Sequence, residues 1–293
     1  ELLPFVQSFV DAGADIILTN SFGGTRHRLK LHKAQDRVFE LNRKAAEIAR
    51  KVAMRATRRV IVAGSVGPTG ELLQPLGALT YDAAGEAFAE QIGGLQAGGA
   101  AWIETMSAPD EIRAAAEAAI QVGLPYTYTG SFDTAGRTMM GLAPQDIHGV
   151  ADALSDKPVA LGANCGVGAP DILAALLDMS EARPDTTIIV KGNCGIPQFH
   201  GSEIHYSGTP ELMAEYVRLA VDGGAKIIGG CCGTSFDHLA AMREALDTHQ
   251  KGARPNIGDI EARVGPMRNK AAAQSSSNGA AAERRRERRR TRA

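Results

Sequence analysis

The sequence carries almost no excess of charge. Its 32 lysines and arginines face 33 acidic residues, for a formal net charge of -1. Near neutrality gives the folded part no reason to bind nucleic acid or an anionic membrane. Long apolar runs are missing too, and none approaches the roughly 20 residues of a membrane helix. Cysteine is scarce, with four in 293 residues. That excludes a secreted disulfide scaffold and fits a reducing compartment with metal or thiol chemistry. No signal-peptide pattern is visible, although the chain opens at Glu1 without methionine, and the cytoplasm is the expected location. No GxGxxG loop follows an early strand, and GSVGPTG (residues 64–70) is not a Walker motif. The seven histidines (27, 32, 148, 200, 205, 238 and 249) show no metal-like pairing and read as surface or packing residues.

What is present is an ordinary globular composition, 44% hydrophobic and 22% charged, at a length suited to one large domain. Short apolar, β-branched runs predict strands at residues 14–19, 59–66, 101–106, 125–130, 159–164, 187–192 and 226–230. Amphipathic stretches between them predict helices at 34–53, 81–96, 109–123, 144–154, 171–182, 210–224 and 236–246. Repeating βα units imply a parallel sheet. The expected fold is an α/β (β/α)8 TIM barrel, with an open doubly wound sheet as the alternative. Only seven strands can be counted, and residues 1–13 read as the end of a helix. The first strand is therefore expected upstream of Glu1. The barrel is assigned to residues 1–248, and 249–293 to a carboxyl-terminal extension.

Barrels gather functional residues on loops at the carboxyl ends of their strands. Cys165, ending VALGANC, and Cys231 and Cys232, in IIGGCCGT, fall there. Soft thiolates at strand ends suit a tetrahedral zinc site, and three protein ligands leave one position open for chemistry. Adjacent strand residues point to opposite faces, so Cys231 and Cys232 share one metal only if the chain turns between them. Gly229, Gly230 and Gly233 supply that freedom. The alternatives are two cysteines packed as small hydrophobes or a strained vicinal disulfide. Glu104 in WIETMS reads either as a cap for the next helix or as a partly buried carboxylate that binds an ammonium group. Asn20 and Phe22 in TNSFGGT, Ser65 in GSVGPTG, and Asn193 with Cys194 in VKGNCGIP complete the ring, the first four as candidate substrate contacts.

Together, GANC, GNCGIP, GGCCGT, TNSFGGT, AGSVGPTG and IETMS resemble the zinc-dependent homocysteine S-methyltransferases over roughly residues 5–246. The resemblance implies that Cys165, Cys231 and Cys232 bind Zn2+, that the homocysteine thiolate takes the fourth position, and that Glu104 holds the homocysteine amino group. It also implies an enzyme forming methionine. Two departures stand out. The family's first-strand Asp-Gly segment is not in this chain, and Cys194 stands where methionine synthases usually carry alanine. A fourth-ligand role for Cys194 would favour a non-catalytic zinc-binding barrel instead.

For the methyl donor, betaine is the first expectation, with S-methylmethionine or a methyl-corrinoid or methylfolate donor second. A quaternary ammonium wants aromatic faces, and Phe22, Tyr81, Trp102, Tyr126, Tyr128, Phe132, Phe199 and Tyr206 lie near strand ends. Against betaine, animal betaine enzymes carry a tyrosine where this chain has Gly23. PYTYTGSFDTAGRT is closer to the methionine synthase version. The extension is expected to be disordered and basic at its end. Its DIEARVGPM run (residues 259–267) is read as docking on a neighbouring subunit of a homo-oligomer.

Overall fold

The structure, a computed structural model, describes residues 2–195, 197–200 and 203–269. A first helix α1 (Leu2–Asp11) leads into strand β1 (Ile16–Leu18), a short helix α2 (Arg26–Leu29) and α3 (Val38–Ala53). Strand β2 (Ile61–Val66), helix α4 (Tyr81–Leu95), β3 (Ala101–Met106), α5 (Pro109–Val122), β4 (Tyr126–Gly130) and α6 (Ile147–Asp152) follow. Then come β5 (Ala160–Cys165), α7 (Ala169–Ala182), β6 (Ile188–Gly192), a hairpin of β7 (Pro197–His200) and β8 (Glu203–Tyr206), and α8 (Pro210–Gly223). The chain closes with β9 (Ile227–Gly230), α9 (Phe236–Thr248) and α10 (Ile257–Val264). All seven expected strands form. They make one parallel sheet in the order β1-β2-β3-β4-β5-β6-β9, curled into a half-barrel with helices outside. Its edges, β1 and β9, flank a mainly apolar cavity of about 560 Å³.

Local chemistry explains the boundaries. Pro109 opens α5 with Asp110 and Glu111 in its first turn, where the helix dipole favours acids, and Gly123 ends it at φ 76. Thr209 caps α8 by accepting from the Leu212 amide, and Gly224 ends that helix in the left-handed region. The main core lies between sheet and helices, with Phe88, Ile92, Ile103, Ile112, Leu176 and Leu219 fully buried. A second, smaller cluster of Ala63, Trp102, Ala160 and Ile189 fills the concave side. The side chains of alternate strand residues point to it, because successive side chains leave a strand on opposite faces.

Beyond Thr248 the chain continues across the outside of the barrel. Helix α10 starts with a capping box between Asn256 and Asp259 and buries Ile260 and Val264 against the main core. Arg254 donates to the Leu177 carbonyl, and the Arg268 and Asn269 amides donate to the Asp171 carboxylate. Residues 249–269 thus pack on their own barrel through an apolar stripe too short to stand out in the sequence. The DIEARVGPM run docks in cis. The Arg-rich end (residues 270–293) lies outside the described residues. No helix among the described residues is long and apolar enough to cross a membrane.

Candidate metal and thiol-substrate site

Strand register brings the cysteines level. Cys165 pairs with Gly192 of β6, and Gly192 pairs with Gly230 of β9. Cys165 and the Cys231–Cys232 pair therefore leave the sheet at the same height. Beyond β9 the chain turns at once: the Cys231 amide donates to the Gly192 carbonyl and the Thr234 amide to the Cys231 carbonyl. That turn puts both neighbouring sulfurs on one side. The Sγ atoms of Cys165, Cys231 and Cys232 all lie within 4.8 Å of one another, and those of Cys165 and Cys232 are 3.9 Å apart. Tetrahedral zinc with Zn–S bonds of about 2.3 Å sets sulfurs about 3.8 Å apart. The three sulfurs fit that ion, and all four cysteines are free thiols.

Two side-chain amides and one phenol donate to the sulfurs. Asn164 Nδ2 lies 3.7 Å from the Cys231 sulfur and Asn193 Nδ2 3.7 Å from that of Cys165, both as hydrogen bonds. Asn193 also donates to the Gly166 carbonyl and accepts from the Cys232 amide. Asn164 is gripped by β3 and β4: its Oδ1 accepts from the Thr105 amide and the Thr129 hydroxyl, and its Nδ2 donates to Thr105 Oγ1. Thr105 sits at φ 61, where β3 slips register against β4, and Cys165 sits at φ 64. Non-glycine residues in the left-handed region cost energy and gather at functional sites. Hydrogen bonds shared among the clustered sulfurs push the Cys165 thiol up and hold Cys232 well down. Tyr206 bonds the Cys232 sulfur, its ring pressed on Gly233, and burial beside the clustered sulfurs raises its phenol to about 12.

Glu104 does not cap α5, whose first residue follows Ala108 with no side-chain cap. It points into the half-barrel, almost fully buried. Its Oε1 accepts from the Ser65 hydroxyl at 2.5 Å and its Oε2 from Lys191 Nζ at 2.6 Å. Ser65 is itself fixed, its amide donating to Thr19 Oγ1 and its carbonyl accepting from Ser21. Phe22 is exposed on the adjacent loop with its ring against Gly67, and Asn20 is exposed beside it.

Of the residues singled out from sequence, Cys165, Cys231, Cys232 and Asn193 converge directly. Glu104 and Ser65 form a joined pair on the concave side. Cys194 stands outside the sulfur cluster, fully buried against Gly208, where burial raises its thiol. Among the aromatics, Tyr128 is spent on the Ile147 carbonyl, Tyr126 on the Asp156 carbonyl and Tyr81 on Glu117. Phe199 lies in a stretch whose side chains are not described. Asn164, Thr105 and Lys191 were missed. Lys191 had a signal: a lysine in an apolar strand must find a partner when buried.

A curled parallel sheet with three thiols at its carboxyl ends and a buried carboxylate beside them defines an α/β barrel built for thiol chemistry. The sequence profile of the homocysteine S-methyltransferases matches residues 4–246. The chain belongs to that family, and its activity class is methyl transfer to homocysteine. Among solved structures it is similar to the homocysteine methyltransferase MmuM from Escherichia coli. The metallated form is 23% identical at TM-score 0.68 and the oxidized form 24% identical at 0.69, each over 83% of both chains. The apo form is 22% identical at 0.63, over 83% of this chain and 84% of that one. These likenesses bear on the fold, which they share.

Proposed function

We propose that this protein forms methionine by moving a methyl group from an onium donor to the thiolate of homocysteine held at a three-cysteine zinc centre. The observation that carries this reading is the cluster of Cys165, Cys231 and Cys232, within 4.8 Å of one another at the sheet's carboxyl end. Zinc bound there would lower the pKa of the homocysteine thiol and fix its sulfur at the open fourth position.

The chain's own residues do the rest. Asn164 and Asn193 donate to ligand sulfurs and orient them, as outer partners of metal ligands do. Glu104, braced by Ser65, accepts the substrate ammonium. The thiolate then attacks the donor methyl carbon. A carbon–sulfur bond forms, and the donor's carbon–nitrogen or carbon–sulfur bond breaks. Its electron pair leaves with a neutral amine or thioether. Holding the two in line supplies much of the rate gain. Tyr206 bonds the Cys232 sulfur, and Phe22 and Phe236 are exposed, on the loop after β1 and at the start of α9. A quaternary-ammonium cage wants several aromatic faces, so betaine and S-methylmethionine are the two donors to set against each other. Free thiols favour a reducing compartment, here the cytoplasm.

Metal analysis and a donor panel test this. We expect one zinc per chain, lost in Cys232→Ala, and methionine formed from homocysteine with betaine or S-methylmethionine. Undiminished zinc in the variant overturns the ligand set. Methionine formed only with a methyl-corrinoid or methylfolate donor overturns the onium assignment.

A further inference from the structure

Lys191 and Glu104 form an ion pair buried on the concave side of the sheet. Both project from mid-sheet into the concave side, 12% and 7% exposed, with Nζ–Oε2 at 2.6 Å. Such a pair contributes little net stability, since desolvating two charges offsets most of their attraction. Apolar residues would fill the space as well. The pair also has spare capacity. Among the described residues Lys191 Nζ makes one hydrogen bond, so its other N–H groups lack an acceptor. Nζ lies 5.5 Å over the ring of Trp102, whose buried indole N–H has no partner among the described residues. Lys191, Trp102 and Cys231 line the same cavity. A cation and an unpaired donor on one wall, next to a carboxylate and below three thiols, match the groups of one molecule type: an α-amino acid with a thiol side chain.

Building on the proposed function, we propose that Lys191 reads the α-carboxylate of the substrate while Glu104 reads its ammonium. The free protein neutralises each charge with the other. The zwitterion binds alongside the pair, giving the Glu104 carboxylate a second cation and Lys191 a second anion. Neither charge is left buried and unpaired at any stage, which is the costly outcome. The two methylenes between the α-carbon and sulfur then place the thiol toward Cys231 and its partners.

Calorimetry on the zinc-loaded protein separates the two contacts with three thiols: homocysteine, 3-aminopropane-1-thiol, which lacks the carboxylate, and 4-mercaptobutanoate, which lacks the amine. The wild type should bind homocysteine about 10- to 100-fold more tightly than either analogue, the worth of one charge-assisted contact. In Lys191→Met and Lys191→Gln the preference over 3-aminopropane-1-thiol should collapse toward unity, while the preference over 4-mercaptobutanoate stays. Lys191→Arg should keep most of the first preference. Zinc content and thermal midpoint check each variant's fold, and any one folded neutral variant decides. A merely structural role weakens homocysteine and 3-aminopropane-1-thiol equally and leaves their ratio as in the wild type; that result overturns the proposal. A wild type that binds no homocysteine overturns the function itself, a distinct outcome.

Discussion

Strands β3, β4 and β5 pair in the same parallel manner as β9, yet their surroundings differ. The first three are buried along nearly their whole length, whereas all four residues of β9 are half-exposed. The three clustered cysteines are divided between these regions. Cys165 ends a strand locked in the closed wall, and Cys231 and Cys232 follow the least buried strand of the sheet. In the wall, position is set by packing. At the edge it is set by hydrogen bonds, from the Cys231 amide to Gly192 and from the Cys232 amide to Asn193. One half of the thiol cluster is thus rigid by contact and the other by polar tethering.

The sharpest way to break this contrast is to truncate a side chain in each region. Ile103→Ala, in the wall and fully buried, should cost about 2–5 kcal/mol through lost burial and a cavity. Ile227→Ala, on partly exposed β9, should cost about 1 kcal/mol because part of its surface is already wet. Urea unfolding of the two variants measures both, and equal costs would erase the distinction.

A second test sits on the seam between the regions. Asn164→Ala removes the amide that joins the wall, through Thr105 and Thr129, to the edge sulfur of Cys231. Zinc affinity in a chelator competition should fall about 10- to 100-fold, the usual loss for an outer partner of a metal ligand. The thermal midpoint should shift less than in Ile103→Ala.

The smallest effect belongs to the helices packed behind the wall, on α6. Burial holds the pKa of His148 below its usual 6.5, and its Nε2 lies 3.0 Å from the Met179 carbonyl. The fold therefore keeps this imidazole neutral while the unfolded chain protonates it. Stability is fully present above pH 6.5 and is lost as pH falls from there through the depressed folded value, by at most about 1.4 kcal/mol per pH unit. His148→Gln should flatten this part of the profile, read as the difference in urea midpoint between pH 7.5 and pH 5.5.

The wall was legible in the sequence and the seam was not. Runs such as RVIVAGSV and TIIVKG announce buried parallel strands because such strands are apolar on both faces, and the cysteine motifs fall at their ends. The resemblance carried by GANC, GNCGIP and GGCCGT covered the same stretch that the family profile matches. The contacts that finish the site join residues far apart in the chain. Asn164 meets Thr105 across 59 positions and Lys191 meets Glu104 across 87. No local pattern encodes those distances. Helix α10 escaped notice for the opposite reason: its eight residues bury only Ile260 and Val264, a stripe too short to show a period.

Cys165 stands in the left-handed region, a conformation that glycine adopts without strain and other residues resist. Its backbone and its sulfur therefore make opposite demands on the amino acid at this position. Glycine would relax the chain and abandon the cluster, whereas cysteine serves the cluster and keeps the chain under tension. Selection for stability alone would drift position 165 toward glycine, so the thiol persists there only while its chemistry is in use.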